Sequence, residues 1–167
     1  MSLLAIHRFP DPILKQPTRM IGRVDEAVQR LIEGLIAFMR KQPHCVGLAA
    51  PQLGSSLRLA VMDSSRHPKV NASAGLIVLV NPQIEAVEGE VIGREGCLSI
   101  PDLTANVRRA TRVRLRAFDQ HGSMREYQLE GFEAIIAQHE IDHLDGKLFL
   151  DRVANLKTDI FRRKTYL

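Results

Sequence analysis

Only two cysteines, Cys45 and Cys97, occur in 167 residues, too few for a disulfide-framework protein; two thiols in a chain of this size fit a reducing compartment. No long apolar segment is present. The longest strongly apolar run is Leu76-Ile77-Val78-Leu79-Val80, far short of the ~20 residues that span a bilayer. The first residues, Met1 to Arg8, lack the charged-then-apolar layout of a signal peptide. Internal repeats and low-complexity stretches are missing, and neither sign of charge dominates. Lys plus Arg is 23 against 19 for Asp plus Glu, a formal net charge of +4, which eases approach to an anionic partner but does not identify one. The reading is a soluble, cytoplasmic protein with no membrane or DNA partner.

What is present is an ordinary globular balance, 45% hydrophobic and 25% charged, which excludes a disordered chain. A chain of this length is expected to form a single domain, 1–167, with a core that needs no staples. The proline-rich opening, Pro10, Pro12 and Pro17, predicts extended chain. Asp25 can cap a helix whose Val28, Leu31, Ile32, Leu35 and Met39 share one face. Leu57 to Met62 and Leu76 to Val80 read as strands, the second stopped by Asn81-Pro82; between them, Ser64 to Gly75 is a polar loop and the best candidate for mobility. Ile84 to Ile92 reads as a strand or a hairpin around Gly89. Val113, Leu115 and Ala117 alternate with arginines, and a turn at Gln120 to Ser123 returns the chain through Arg125 to Leu129. A second helix runs from about Phe132 to Leu144, with Phe132, Ile135, Ile136, His139 and His143 on one face and Gly146 placed to end it. The basic tail, 155–167, is expected to hold a short third helix with Leu156 and Ile160 inward. The fold class is α+β: short, mostly antiparallel strands around a central helix.

That second helix carries His139-Glu140-Ile141-Asp142-His143. Histidines at i and i+4 project from one side, about 6 Å apart at Cβ, and can share one metal ion; Glu140 then reaches the ion's open face as a base. Two surface histidines on a charged turn would give the same five letters, but a solvated helix has no need of Phe132, Ile135 and Ile136 beneath them. A catalytic site of this type needs a third protein ligand. No glutamate follows Glu140 and no histidine follows His143, so the third donor comes from upstream or is an aspartate such as Asp151. Cys97, in Glu95-Gly96-Cys97-Leu98-Ser99, is the strongest upstream candidate, since a thiolate is a strong donor; the alternative is an inert core thiol. In Gly47-Leu48-Ala49-Ala50-Pro51-Gln52, small residues permit close backbone approach, and the Gln52 amide can donate to a developing oxyanion or merely cap a packed turn.

These three segments, in this order, resemble those of peptide deformylases, whose motifs are Gly-x-Gly-x-Ala-Ala-x-Gln, Glu-Gly-Cys-x-Ser and His-Glu-x-x-His; the resemblance runs from about Arg8 to Val153. It implies that Cys97, His139 and His143 bind one divalent ion, Fe²⁺ in the cell with Zn²⁺, Ni²⁺ or Co²⁺ able to substitute. It implies that Glu140 is general base and then acid, and that Gln52 and the Leu98 N–H stabilise the oxyanion. Gly47 would pair with the peptide backbone, and Val46, Phe132, Ile135 and Ile136 would line the pocket for methionine. The implied reaction removes the formyl group from the N-terminal methionine of nascent polypeptides and releases formate. One position departs from the motif: Cys45 stands where the first glycine belongs, which can narrow the entrance or bring a second thiol near the metal. The resemblance also raises contact of the basic tail, with Arg152, Lys157, Arg162, Arg163 and Lys164, with the ribosome. The alternatives are a metallopeptidase or amidase acting on another bond, and a closed structural metal site in a ribosome-binding module. A closed site would need four protein ligands.

Overall fold

A computed structural model describes residues 4–164. Eight strands form two sheets. The larger contains β1 (Gly47–Ala49), β2 (Leu59–Asp63), β3 (Leu76–Glu88), β6 (Arg112–Phe118) and β7 (Met124–Glu130), in spatial order β1-β2-β3-β6-β7. The smaller has the order β4-β5-β8, from Val91–Cys97, Ile100–Arg109 and Ile160–Arg162. Every pairing between these strands is antiparallel. The two long helices are α1 (Glu26–Lys41) and α2 (Gly131–Leu144). This is the α+β arrangement expected.

The helices lie on opposite faces of the larger sheet. Ala60, Met62, Ile77 and Leu79 pack with Ala134, Ile136, Ala137 and Ile141 of α2. Their neighbours Leu59, Val61, Val78 and Val80 pack with Val28, Ile32, Leu35 and Met39 of α1. A strand covered on both faces has no solvent side on which to alternate, which is why Leu76 to Val80 is apolar throughout. The four α1 residues follow the expected stripe, each adding roughly 1.5–3 kcal/mol by burial. Asp25 caps the helix through a 3.0 Å bond from the Val28 N–H.

Three expectations need correction. β3 does not stop at Asn81-Pro82 but continues to Glu88 through register shifts. Asn81 takes a positive φ of 53°, a conformation Asn tolerates, and its amide binds Ile21 N–H at 2.8 Å and Ile21 C=O at 2.7 Å. The turn at Gly89 is real, but its two arms enter different sheets. The tail makes no helix. Leu156 is exposed, and Ile160–Arg162 forms β8, pairing Leu103 with Arg162 and Thr104 with Phe161; a β-branched residue followed by an aromatic suits a strand, and partnering with β5 decides the outcome. Residues 165–167 of the tail lie outside the described residues.

The 64–75 loop is tied down at both ends. Buried Glu133 of α2 accepts from the Ser64 hydroxyl and, at 3.0 Å, from the Ala74 N–H. His67 lies against Phe132 with 4.4 Å between ring centroids and the ring planes tilted by 33°. Among the described residues, no helix is long and apolar enough to cross a membrane.

Candidate metal centre

Helix α2 carries His139 and His143 one turn apart, their rings meeting edge to face with centroids 5.0 Å apart. Cys97 comes from the end of β4, where the register shifts between Gly96 and Cys97. Its Sγ lies 3.3 Å from His143 Nε2, and ligand atoms of Cys97, His139 and His143 all fall within 4.8 Å of one another. One soft thiolate and two imidazoles make a three-donor set that a divalent ion with an open position accepts. The three residues can therefore hold a single metal ion. Burial opposes ionisation of Cys97, yet the two imidazoles, His143 foremost, hold its thiol well below the ordinary value. The sulfur is thus poised as a thiolate donor.

Glu140 is buried against this group, and its Oε2 has no hydrogen-bond partner among the described residues. Burial raises its pKa above that of an ordinary carboxyl, which suits a group that takes and returns a proton near neutral pH. Gln52 follows β1 in a short 3-10 turn (Ala50–Leu53). The Ala49 N–H binds its Oε1 at 3.0 Å, presenting Nε2 to Cys97 Sγ at 3.3 Å and Ser99 Oγ at 3.2 Å. A cleft of about 280 Å³ brings Val46, Gly47, Gln52, Cys97, Leu98, His139 and Glu140 together. Phe132, Ile135 and Ile136 do not line it. Ile136 is buried in the core between α2 and the sheet, with Phe132 packed against it.

Two positions near the ligands are constrained by what surrounds them. A Cβ built on Gly47 would run into the Glu140 carboxylate, so only glycine lets β1 pass this close to the base. Cys45 sits on the cleft wall, its thiol donating to Gly47 C=O at 3.2 Å. Burial and the Glu140 carboxylate push its pKa up to about 12, so it stays a neutral thiol outside the three-donor group.

The residues that orient the ligands were not picked out by sequence reasoning. His139 Nδ1 meets Glu95 Oε1 at 2.9 Å, a contact that fixes the ring and directs its other nitrogen to the metal group. Burial alone would raise the Glu95 pKa; a two-pronged ion pair with Arg109, at 2.8 and 2.9 Å, and the His139 contact outweigh it and hold the carboxyl at about 2. Arg109 also reaches Asp142 Oδ2 at 2.6 Å, and Arg152 completes the chain at 2.8 Å. Glu95 stands two residues before Cys97 on a strand and so shares its face, a signal the sequence does contain.

A family model described as polypeptide deformylase matches residues 3–159. The chain is 44% identical over 164 residues to a peptide deformylase of Syntrophobacter fumaroxidans, covering 98% of this chain and 94% of the relative. A peptide deformylase of Thermodesulfovibrio yellowstonii is 40% identical, with 98% and 97% covered. Among solved structures, the peptide deformylase of Legionella pneumophila superposes with a TM-score of 0.83 at 40% identity, covering 93% of this chain and 89% of that one. That of Synechococcus elongatus, in complex with actinonin, gives 0.84 at 35% identity, with 94% and 82% covered.

Proposed function

The chain belongs to the peptide deformylase family, and on that premise we propose that Cys97, His139 and His143 hold one divalent ion while Glu140 moves the protons of formyl hydrolysis. The activity is metal-dependent removal of the N-formyl group from the terminal methionine of nascent polypeptides, releasing formate. A bound ion supplies Lewis acidity at the open position. Glu140 accepts a proton from the attacking water as the C–O bond forms, then delivers it to the departing amine nitrogen as the C–N bond breaks. The Gln52 amide and the Leu98 N–H donate to the carbonyl oxygen as it becomes anionic. Losing one such donor typically costs about 10²–10³ in rate.

The topology supports a peptide substrate. β1 and β4, which carry Gly47 and Cys97, are each the last strand of their sheet, and an extended peptide can pair with such an edge. Gly47 is the position at which the backbone would pair. Val46 on the cleft wall offers an apolar side chain for the methionine, and the pocket must extend from there toward Phe132, Ile135 and Ile136, which the cleft does not reach in this structure. Family membership, rather than the thiolate–imidazole set, points to Fe²⁺ as the cellular ion, with Zn²⁺, Ni²⁺ or Co²⁺ replacing it. The enzyme would work in the cytoplasm, where its substrate is made.

Contact of the tail with ribosomal RNA rests on fewer cations than the sequence offers. Arg152 is paired with Asp142, leaving Lys157, Arg162, Arg163 and Lys164 exposed. Salt-sensitive co-sedimentation with ribosomes, lost when these four are reversed to Glu, is the expected result.

The observation that carries the reading is an unpartnered, buried Glu140 set between two imidazoles that meet a thiolate. Metal-loaded protein should release formate from a formyl-methionyl peptide. Glu140→Ala should keep its metal and lose roughly 10²–10⁴ in turnover. A Glu140→Ala protein with near-normal turnover rejects this role.

A further inference from the structure

The tail does more than close the small sheet. β8 pairs with β5, and just beyond it the Arg163 N–H donates to Asp102 C=O at 2.9 Å. The strand is held from the other side by Arg94, whose guanidinium carbon lies 3.6 Å from the Phe161 ring centroid, a cation–π contact. So anchored, Arg163 lays its side chain across the sheet to β4. Its guanidinium fills the space a Cβ at Gly96 would need, next to the ligand Cys97. It forms part of the wall of the cleft that holds His139 and Glu140. No carboxylate among the described residues forms an ion pair with it, whereas Arg109 and Arg152 are each paired.

We propose that Arg163 is a specificity-determining residue that binds a carboxylate carried by the peptide two residues after its methionine. The inference rests on the deformylase reading above. A guanidinium presents a planar fork of donors matched to a carboxylate, and this one has donors to spare. The formyl end of a substrate must reach Cys97 and His139. A peptide laid along the β4 edge advances about 3.4 Å per residue and carries its residues after methionine past Gly96 and Arg163. Because Arg163 is solvent-exposed, the preference is modest and falls with salt.

The test compares formyl-Met-Ala-Glu-amide with formyl-Met-Ala-Lys-amide, each with its terminal carboxylate blocked, by formate release from the metal-loaded enzyme at low ionic strength. Wild-type protein should favour the Glu peptide in kcat/KM by about two- to fivefold, with the difference in KM. Arg163→Gln should bring the ratio to one, Arg163→Lys should keep part of it, and Arg163→Glu should invert it. The ratio is read within one protein, so a general loss of activity or folding does not mimic it. Equal rates on the two peptides in wild type, or a preference that survives Arg163→Gln, overturn the proposal. If wild-type protein releases formate from neither peptide, the deformylase reading fails instead.

Discussion

Gly47→Ala should disable catalysis without touching a ligand. A Cβ built at this position lies 2.9 Å from both Cγ and Cδ of Glu140, and nearer still to Oε1. Ordinary carbon contacts begin at about 3.5 Å, so the carboxylate must retreat by roughly half an ångström to one ångström. The backbone cannot yield instead: Gly47 is paired with Met62 in the sheet, and the adjoining Leu48 and Ala49 are fully buried. A misplacement near 1 Å at a reacting group costs on the order of 10² in rate. The expectation is therefore a kcat about 10²-fold lower, with metal stoichiometry unchanged, measured by formate release and metal analysis on the same preparation. Glu140→Asp shortens the side chain and makes room, so the double variant should show strong non-additivity. A Gly47→Ala enzyme with wild-type kcat would show that the carboxylate does not work from this position.

Cys97→Ala should lose the metal: cobalt-loaded wild-type protein should show a thiolate charge-transfer band, and a variant retaining both band and stoichiometric cobalt excludes thiolate ligation. Arg109→Met leaves Glu95 and Asp142 buried without their shared cation, at a cost of about 3–5 kcal/mol in urea unfolding. By loosening His139, the same change should weaken metal binding roughly 10- to 100-fold in a chelator competition; a loss under about 1 kcal/mol with unchanged affinity contradicts the network. Asp119 accepts from Ser123 N–H at 3.0 Å, Arg125 Nε at 2.9 Å and His121 N–H at 2.9 Å, and these contacts, Ser123 first, lower its carboxyl from 3.8 to about 2. Since the folded value is the lower one, the stabilisation is complete above pH 3.8 and is lost as pH falls through about 2. Asp119→Asn should melt below wild type at pH 7, and the gap should close at the acid end; a gap that stays constant with pH points to packing rather than charge.

The elements readable in the sequence are those whose pattern is complete within one segment. The stripe of α1, the alternation of β6 and the turn at Gln120 to Ser123 each carry their own period, and each was found. β1 was missed because Gly-Leu-Ala is too short for a period to show; β5 begins Ile100-Pro101-Asp102, which reads as a break. β8 could not be read from 160–162 alone, since it is a strand only because β5 offers it an edge. The ligand motif was legible because two histidines and a glutamate are bound by helical spacing, and Cys97 stood in a second local motif. Arg109 was harder. It ends an inward-facing row, Ala105, Val107, Arg109, so the alternation points it into the core, but its partner Asp142 lies 33 residues away.

Helix α2 shows why a one-face reading of the site was incomplete. The sheet covers its Ala134, Ile136, Ala137 and Ile141, yet Glu133, Glu140, Asp142 and His143 are buried as well. Stability alone does not favour placing so many polar groups inside, because each costs free energy unless it is paired. Glu133 is satisfied by Ser64 and Ala74, and Asp142 by Arg109 and Arg152. His143 meets Cys97 through Nε2, while its Nδ1 has no partner among the described residues. Glu140 Oε2 is left without such compensation, and a carboxylate kept short of partners retains the basicity that proton transfer requires. The helix therefore secures the loop and the arginine network with paired groups and leaves atoms of its base and of one ligand unpaired, which is where local rules of satisfaction give way at a working site.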